Sequence, residues 1–397
     1  MSRPRRPFKI GVGDLQTTKA DRDAVARVLV ANRLSYGNAT RSFEKRFASI
    51  HGAKFGIFTN SGTSSLEIAL AALKELRNWE DGDEVLVPAV TFVATSNVVL
   101  MQGLRPVFVD VDPRTYDIDA SQIETHITDR TKAIIPVHLL GLPAEMGPIT
   151  DIARSHELAI IEDSAETMFA SYRGRPVGSL GDIGCFSTYI AHYIVTGVGG
   201  INTTSDPQLA ITMRSLMNHG RDSIYLNIDD SNASTRGALH EVIARRFRFV
   251  RLGYSYRATE MEAALGLSQL KRYKNILRRR VWVANQYLKK LSDLKEYLQL
   301  PFTPPDRTHS FMLFGLVEKT GSKVDLVNYL EDSGIETRDL LPLINQPFYV
   351  ARYGDLAKNY PVASYLNQNG FYIGCHQYLG RREVDLVSKA FHKFYAR

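Results

Sequence analysis

The central part of the chain alternates short apolar segments with helical patterns. An amphipathic pattern over 94–101 predicts a helix, and apolar runs predict strands over 84–88, 106–109, 133–137, 158–161 and 183–189. Strands that alternate with helices favour an α/β fold built on a mostly parallel, doubly wound sheet. Ligands bind beyond the carboxyl ends of the strands in such sheets. The residues that follow each strand are therefore the first candidates for a functional site.

The pattern of apolar residues differs on either side of this region. Helical patterns over 21–32 and 43–50 predict a helical lead-in. After about residue 260, a strand pattern over 310–317 is accompanied by helical patterns over 260–273, 281–291 and 324–333, the last ending at Gly334. We therefore expect a large domain over 1–255 and a smaller C-terminal domain over 256–397.

The first strand end of interest carries Ser-Gly-Thr at 61–63, followed by a helical pattern with Leu66, Leu70 and Leu73 on one face. Backbone N–H groups at a helix N-terminus have no partner within the helix and attract anions. Ser-Gly-Thr is also a common helix cap, so the motif alone has little specificity. In combination with the motifs below, it makes Gly62 and Thr63 candidate phosphate ligands.

Two other strand ends carry acids and a histidine. The apolar run Ile160-Ile161 leads to Asp163 and Glu166. The segment 186–200 reads Phe-Ser-Thr-Tyr-Ile-Ala-His-Tyr-Ile-Val-Thr-Gly-Val-Gly-Gly, so it delivers Ser187 and His192 just before a glycine-rich turn. A histidine with an ordinary pKa of about 6.5 is suited to proton transfer near neutral pH.

Together these motifs resemble the StrS/DegT-type sugar aminotransferases over about residues 10–395. The corresponding family segment reads roughly Phe-Ser-x-x-x-x-Lys-x-x-x-Thr-Gly-Glu-Gly-Gly. His192 stands at the lysine position here, and Val198 stands at the glutamate position. The resemblance implies fold type I of the pyridoxal phosphate enzymes: a mostly parallel, doubly wound large domain with a smaller α+β C-terminal domain. It also implies pyridoxal 5′-phosphate or pyridoxamine 5′-phosphate as cofactor.

The resemblance implies a role for each matching residue. Gly62, Thr63 and Ser187 match positions that hold the cofactor phosphate, Phe92 matches the ring that stacks on the pyridine, and Asp163 matches the partner of the pyridinium nitrogen. Glu166 also matches a cofactor-binding position, and it stands where the aminotransferases of the family usually have Gln. In the family, the residue matched by Ser255 reaches the cofactor of the neighbouring subunit, which implies a homodimer with shared active sites. Lesser matches near the substrate are Tyr36, His219, Arg338 and His376.

Replacement of the Schiff-base lysine by histidine marks a subgroup of the family, the 3-dehydratases of nucleotide-linked 4-keto-6-deoxyhexoses. The resemblance therefore predicts a lyase that removes the C3 hydroxyl in deoxysugar biosynthesis of the O-antigen and lipopolysaccharide type. Glutamate would regenerate the amine form of the cofactor, with His192 and Glu166 as catalytic residues. Alternatives are a sugar aminotransferase variant, a dehydratase that needs a separate reductase, and a non-catalytic regulatory protein that binds the cofactor. The sequence leaves the nucleotide and the hexose open.

Composition excludes several other classes. One branch of these dehydratases carries a two-iron cluster, which usually needs four cysteines, whereas this chain has only two, Cys185 and Cys375. We therefore expect no iron–sulfur cluster, no other metal and no disulfide framework. The net charge of +7 includes arginine-rich runs at 245–248 and 278–280, which we interpret as solvated faces rather than a nucleic-acid site. Because no apolar run is long enough to span a membrane or form a signal core, we expect a cytoplasmic protein.

Overall fold

A central seven-stranded sheet organises the computed structural model, which describes residues 10–222, 235–245 and 247–396. A four-stranded sheet and a two-stranded ribbon accompany it. The strands are β1 Phe55–Thr59, β2 Glu84–Pro88, β3 Arg105–Val109, β4 Thr131–Ile134, β5 Ala159–Asp163, β6 Ser171–Tyr172, β7 Arg175–Pro176, β8 Ile183–Ser187, β9 Gly200–Thr204, β10 Leu298–Gln299, β11 Leu313–Glu318, β12 Thr337–Asp339 and β13 Gly370–Gly374.

The large sheet has the order β1-β9-β8-β5-β4-β2-β3. The pairs from β8 through β5, β4 and β2 to β3 are all parallel, whereas β9 is antiparallel to both β1 and β8. The prediction of a mostly parallel α/β sheet is confirmed. Strand β9 was not predicted, because it follows the glycine-rich turn directly and its polar sequence Gly-Ile-Asn-Thr-Thr lacks an apolar run.

Helices cover the sheet and build the C-terminal lobe. They are α1 Lys19–Val30, α2 Asn38–Ile50, α3 Gly62–Leu76, α4 Val93–Met101, α5 Ala120–Ile123, α6 Met146–Ser155, α7 Pro207–Leu216, α8 Arg236–Arg245, α9 Glu260–Leu270, α10 Tyr273–Lys290, α11 Lys323–Asp332, α12 Pro347–Tyr353, α13 Pro361–Asn369 and α14 Arg381–Tyr395. Within the described ranges, none of these helices is long and apolar enough to span a membrane.

Helix α10 begins at Tyr273, well before the predicted start at 281. Its first turns bury only Ile276 and Arg280, so their sequence carries too few apolar residues to show a helical period. The predicted strand over 310–317 begins later than expected, at Leu313. The predicted strand over 183–189 ends at Ser187, which places His192 in the following turn rather than next to a strand.

Two hydrophobic cores lie on the two sides of the described structure. The first contains the apolar residues of the large sheet together with helices such as α3 and α9. The second is formed by α10, α11, α14 and the antiparallel sheet β10-β11-β13-β12, and it also takes in Ile10 from the start of the chain. The division of the chain at 255/256 stays a prediction.

The carboxyl ends of the parallel strands bring the sequence motifs together. Strand β5 ends at Asp163 and its neighbour β8 ends at Ser187. Gly200 at the start of β9 is paired with Ser187 on one side and with Thr59, the last residue of β1, on the other. Helix α3 begins immediately after β1, so its N-terminus lies at the same edge of the sheet.

Glu260 on α9 binds the N-terminus of α2 in the N-terminal helical segment. Its carboxylate accepts hydrogen bonds from the backbone N–H groups of Gly37, Ala39 and Thr40 at 2.7–2.9 Å, and from the Thr40 hydroxyl. These donors lie at the N-terminus of α2, where backbone N–H groups lack partners within the helix. A carboxylate from α9 thus caps α2, and the side chain is buried.

We expect Glu260→Ala to lower the free energy of unfolding by about 3 kcal/mol, because several buried donors lose their acceptor at once. Glu262→Ala is the matched control, since Glu262 lies on the same helical turn and caps only its own helix through Thr259; it should cost about 1 kcal/mol. Urea unfolding followed by circular dichroism measures both. Equal losses in the two variants would contradict this account of Glu260.

Candidate active site

The N-terminus of α3 and the end of β8 form one corner of the site. Ser61 caps α3, its hydroxyl accepting from the Ser64 N–H at 3.0 Å, and the helix begins at Gly62. A Cβ atom on Gly62 would lie 2.8 Å from the Cβ of Ser187, which is closer than such atoms approach in real structures. Only glycine therefore lets the helix N-terminus and the Ser187 hydroxyl lie side by side, as an anion site requires.

Asp163 lies at the back of the site, at the end of β5. One of its carboxylate oxygens accepts from the Thr95 hydroxyl at 2.7 Å and the other from the Ala165 N–H at 3.1 Å. Burial raises the pKa of Asp163 in spite of these hydrogen bonds. A cationic N–H group placed against this carboxylate would favour its ionised form.

Glu166 lies in the turn that follows β5. Its carboxylate accepts a hydrogen bond from the Leu140 N–H at 2.9 Å. Burial raises the pKa of Glu166 to about 7, and the negative charge of Asp163 adds to the effect. A carboxyl group with this pKa exchanges protons readily at neutral pH, so it is suited to act as a general acid or base.

A neighbouring buried pair supports the same turn. The Glu162 carboxylate is 3.0 Å from Nε2 of His138, and it accepts from the N–H groups of Gly178, Leu180 and Gly181. These hydrogen bonds outweigh burial and lower the pKa of Glu162. The pair is fully enclosed and does not line the site, so we assign it a structural role.

His192 lies in the turn between β8 and β9. Its backbone N–H donates to the Tyr189 carbonyl at 3.0 Å, and its side chain reaches the cleft. Burial and then the positive charge of Arg280 lower its pKa to about 3, although a backbone hydrogen bond with Ala165 acts in the opposite direction. The imidazole is therefore neutral at physiological pH, which is the form that accepts a proton.

These residues line a cleft of about 420 Å³. The large domain lines it mainly with the motif residues described above, and the C-terminal lobe adds Met312, Leu313, Leu341 and Tyr372. Phe92 stands at the rim with 59% of its surface exposed, and its predicted stacking role stays a prediction. Among the described residues that line the cleft there is no lysine.

Five of the predicted site residues do not line this cleft. The Tyr36 hydroxyl binds the buried Glu44–Arg214 ion pair instead. His219 and Ser255 lie elsewhere, each within hydrogen-bond distance of Arg257. Arg338 pairs with Glu336, and His376 is buried in the C-terminal lobe. The proposed contact of Ser255 with a neighbouring subunit stays a prediction.

Sequence reasoning missed several residues of the site. Thr95, which binds Asp163, lies three positions after Phe92 in the same segment and was detectable as a polar residue in an apolar helix. Leu140, whose N–H holds Glu166, has a left-handed backbone with φ of 55° that the sequence does not reveal. The contribution of Tyr372 comes from a strand of the other lobe, so only the tertiary structure shows it.

The described residues fit a pyridoxal phosphate cofactor. The α3 N-terminus with Ser187 provides an anion site, the buried carboxylate of Asp163 suits a pyridinium nitrogen, and the cleft between them is of ligand size. The buried cysteines Cys185 and Cys375 lie in different cores. In the described ranges, no group of three or more His, Cys, Asp or Glu residues is placed to hold a metal ion.

The fold and the cleft are those of a fold type I pyridoxal phosphate enzyme. The chain belongs to the DegT/DnrJ/EryC1/StrS aminotransferase family, which matches it over residues 16–392. It is thus an enzyme of the sugar aminotransferase family, and the cofactor of that family is pyridoxal phosphate.

Relatives with different activities share this family with the chain. It is 36% identical to GDP-perosamine synthase of Caulobacter vibrioides over 90% of each chain. It is 31% identical to GDP-4-keto-6-deoxy-D-mannose 3-dehydratase of Yersinia pseudotuberculosis, over 89% of this chain and 91% of the relative. A crystal structure of GDP-4-keto-6-deoxymannose-3-dehydratase with a trapped PLP-glutamate geminal diamine superposes with a TM-score of 0.87 and 26% identity, covering 96% of this chain and 100% of the other.

We expect Gly62→Ala to weaken binding of pyridoxal phosphate at least about tenfold, because the new methyl group displaces Ser187 from the helix N-terminus. Gly237→Ala is the matched control, since no atom of the described residues lies within 4 Å of a Cβ atom built there. Titration of the cofactor absorbance measures both affinities. Wild-type affinity in Gly62→Ala would show that the phosphate binds elsewhere.

Proposed function

We propose that the protein removes the C3 hydroxyl from a nucleotide-linked 4-keto-6-deoxyhexose in the cytoplasm, with glutamate as co-substrate. The observation that carries this proposal is the presence of His192, and of no lysine, among the described residues that line the cleft. A family member without the Schiff-base lysine keeps a proton-transfer group but loses covalent attachment of its cofactor. The 3-dehydratases among the relatives support this proposal.

The large domain binds and orients the reactants. The N–H groups of Gly62 and Thr63, with the Ser187 hydroxyl, would hold the cofactor phosphate, and Asp163 would pair with the ring nitrogen. When bound, the cofactor supplies an amine for the C4 ketone and an electron sink for the elimination. Phe92 and the apolar residues from the C-terminal lobe restrict water in the cleft.

His192 and Glu166 transfer the protons. The neutral imidazole of His192 takes a proton from carbon, and the Glu166 carboxyl group donates a proton to the departing C3 hydroxyl, which leaves as water. The reaction balances without a reductase: glutamate is oxidised by two electrons to 2-oxoglutarate, ammonia is released, and the sugar loses one oxygen.

The second subunit of a homodimer completes the site in this proposal. The cleft receives a phosphate, a nucleotide diphosphate and a dicarboxylate in turn, yet no lysine or arginine is among its described lining residues. Tyr189, Ile190 and Val198 expose apolar surface beside it, as an interface would. Ser255 and Arg257 are candidates to serve the neighbouring cleft.

Amine transfer is the second candidate, because GDP-perosamine synthases are among the relatives. In that reaction His192 would act as the base of a transaminase, and nitrogen would be retained in the sugar. A non-catalytic protein that binds the cofactor is the third candidate. Such a protein has no need of a protonatable carboxyl group next to a neutral histidine.

We expect the protein, supplied with pyridoxal phosphate, glutamate and GDP-4-keto-6-deoxymannose, to release ammonia and form a sugar without its C3 hydroxyl. Mass spectrometry of the sugar and an ammonia assay measure the two products. His192→Asn should lower the rate by at least about a hundredfold, since it removes the base. His192→Lys should shift the product toward an amino sugar.

His156→Asn is the matched control, since His156 lies at the surface at the end of α6; it should keep the wild-type rate. An amino sugar without ammonia from the wild-type protein would establish amine transfer instead. If this sugar is not converted, the cofactor spectrum after addition of glutamate distinguishes two explanations. A spectral change indicates a protein that reacts with glutamate and needs another nucleotide sugar, whereas an unchanged spectrum indicates a protein without turnover.

A further inference from the structure

Arg280 is a buried cation whose neighbours in the described structure include no carboxylate. The residue is 1% exposed on α10, and its Nη1 donates to the carbonyls of Met312 at 2.7 Å and Cys375 at 3.4 Å. Its Nη2 donates to the carbonyl of His192 at 3.2 Å. The guanidinium also lies over the Tyr193 ring, 4.7 Å from its centroid.

Among the described residues, two other arginines are deeply buried, and each is paired with a carboxylate. Arg214 contacts Glu44 at 2.9 Å, and Arg307 contacts Asp117 at 3.0 Å. A buried charge without a counter-ion costs far more free energy than a compensated one. Carbonyl groups and a ring offset only part of that cost, so we expect Arg280 to serve the site rather than the stability of the fold.

We infer that Arg280 is a positioning residue for His192: its guanidinium fixes the backbone of the His192 turn. The same guanidinium binds the backbone at Met312 and Cys375, so it ties this turn to the C-terminal lobe. The inference rests on the role of His192 as base that is proposed above.

Acidic groups and tyrosines surround the cleft. Asp163 and Glu166 face it from the large domain, and the tyrosines Tyr193 and Tyr372 lie on the turn itself and on β13. Negative charge on the two acids, and on a bound phosphate, favours a protonated imidazole. Burial opposes this effect at His192, and the charge of Arg280 adds to burial.

The test is the rate at which diethyl pyrocarbonate modifies His192 in the full-length protein, read by mass spectrometry of the peptide. The reagent attacks only neutral imidazole. In the wild-type protein we expect the rate, corrected for reagent hydrolysis, to change less than about twofold between pH 7.5 and 5.5, because burial and the charge of Arg280 keep the imidazole neutral. In Arg280→Met the rate should rise several-fold at both pH values, because the guanidinium no longer holds the His192 turn.

Arg279→Met is the matched control, because Arg279 is the adjacent arginine and binds the Leu379 carbonyl and the Trp282 ring instead; its modification rate should stay at the wild-type value. A wild-type rate in folded Arg280→Met would overturn the inference. Modification does not depend on turnover, so the outcome is independent of whether the protein is a dehydratase.

If Arg280→Met does not fold, Arg280→Lys tests whether Arg280 positions the His192 turn. Lysine keeps the charge but presents a single ammonium group to carbonyls that a forked guanidinium now holds. We expect a flat pH profile together with a modification rate several-fold above wild type, because the His192 turn is held less firmly. A wild-type rate in this variant would show that Arg280 does not position the turn.

Discussion

The close approach of three backbone segments at one edge of the sheet is the constraint on which the site depends. The start of α3, the end of β8 and the start of β9 lie so near one another that a Cβ atom on Gly200 would be 2.2 Å from the Ser61 carbonyl oxygen. Gly62 meets the same limit against Ser187. These glycines allow a helix N-terminus and the Ser187 hydroxyl to lie side by side, and the positions of Asp163 and His192 follow from the neighbouring strands.

The acid–base character of the site follows from burial at that edge. Burial moves the pKa of Glu166 up and that of His192 down, so both groups are near or in their uncharged forms at neutral pH. A protonated carboxyl group and a neutral imidazole that line one cleft are suited to opposite proton transfers. The Leu140 N–H binds the Glu166 carboxylate, and the Arg280 guanidinium binds the His192 carbonyl.

The sequence predicted those parts of the structure that depend on local patterns. Alternating apolar and helical segments gave the parallel part of the sheet, and the strand ends located Gly62, Asp163, Glu166 and Ser187 in one cleft. Strand β9 and the first turns of α10 were not predicted, because their sequences are polar and their burial comes from tertiary packing. Tyr36 has the residue type of a substrate contact, but its hydroxyl is used by a buried ion pair that no local pattern reveals.

In the proposed function, His192 replaces a lysine that would bind the cofactor covalently. Borohydride reduction of the protein loaded with pyridoxal phosphate, followed by peptide mass spectrometry, tests it directly. We predict no cofactor attached to any peptide of the cleft in the wild-type protein, and attachment at residue 192 in His192→Lys. Stoichiometric attachment to a lysine of the wild-type protein would contradict the account, because the protein would then carry the covalent cofactor of an ordinary aminotransferase.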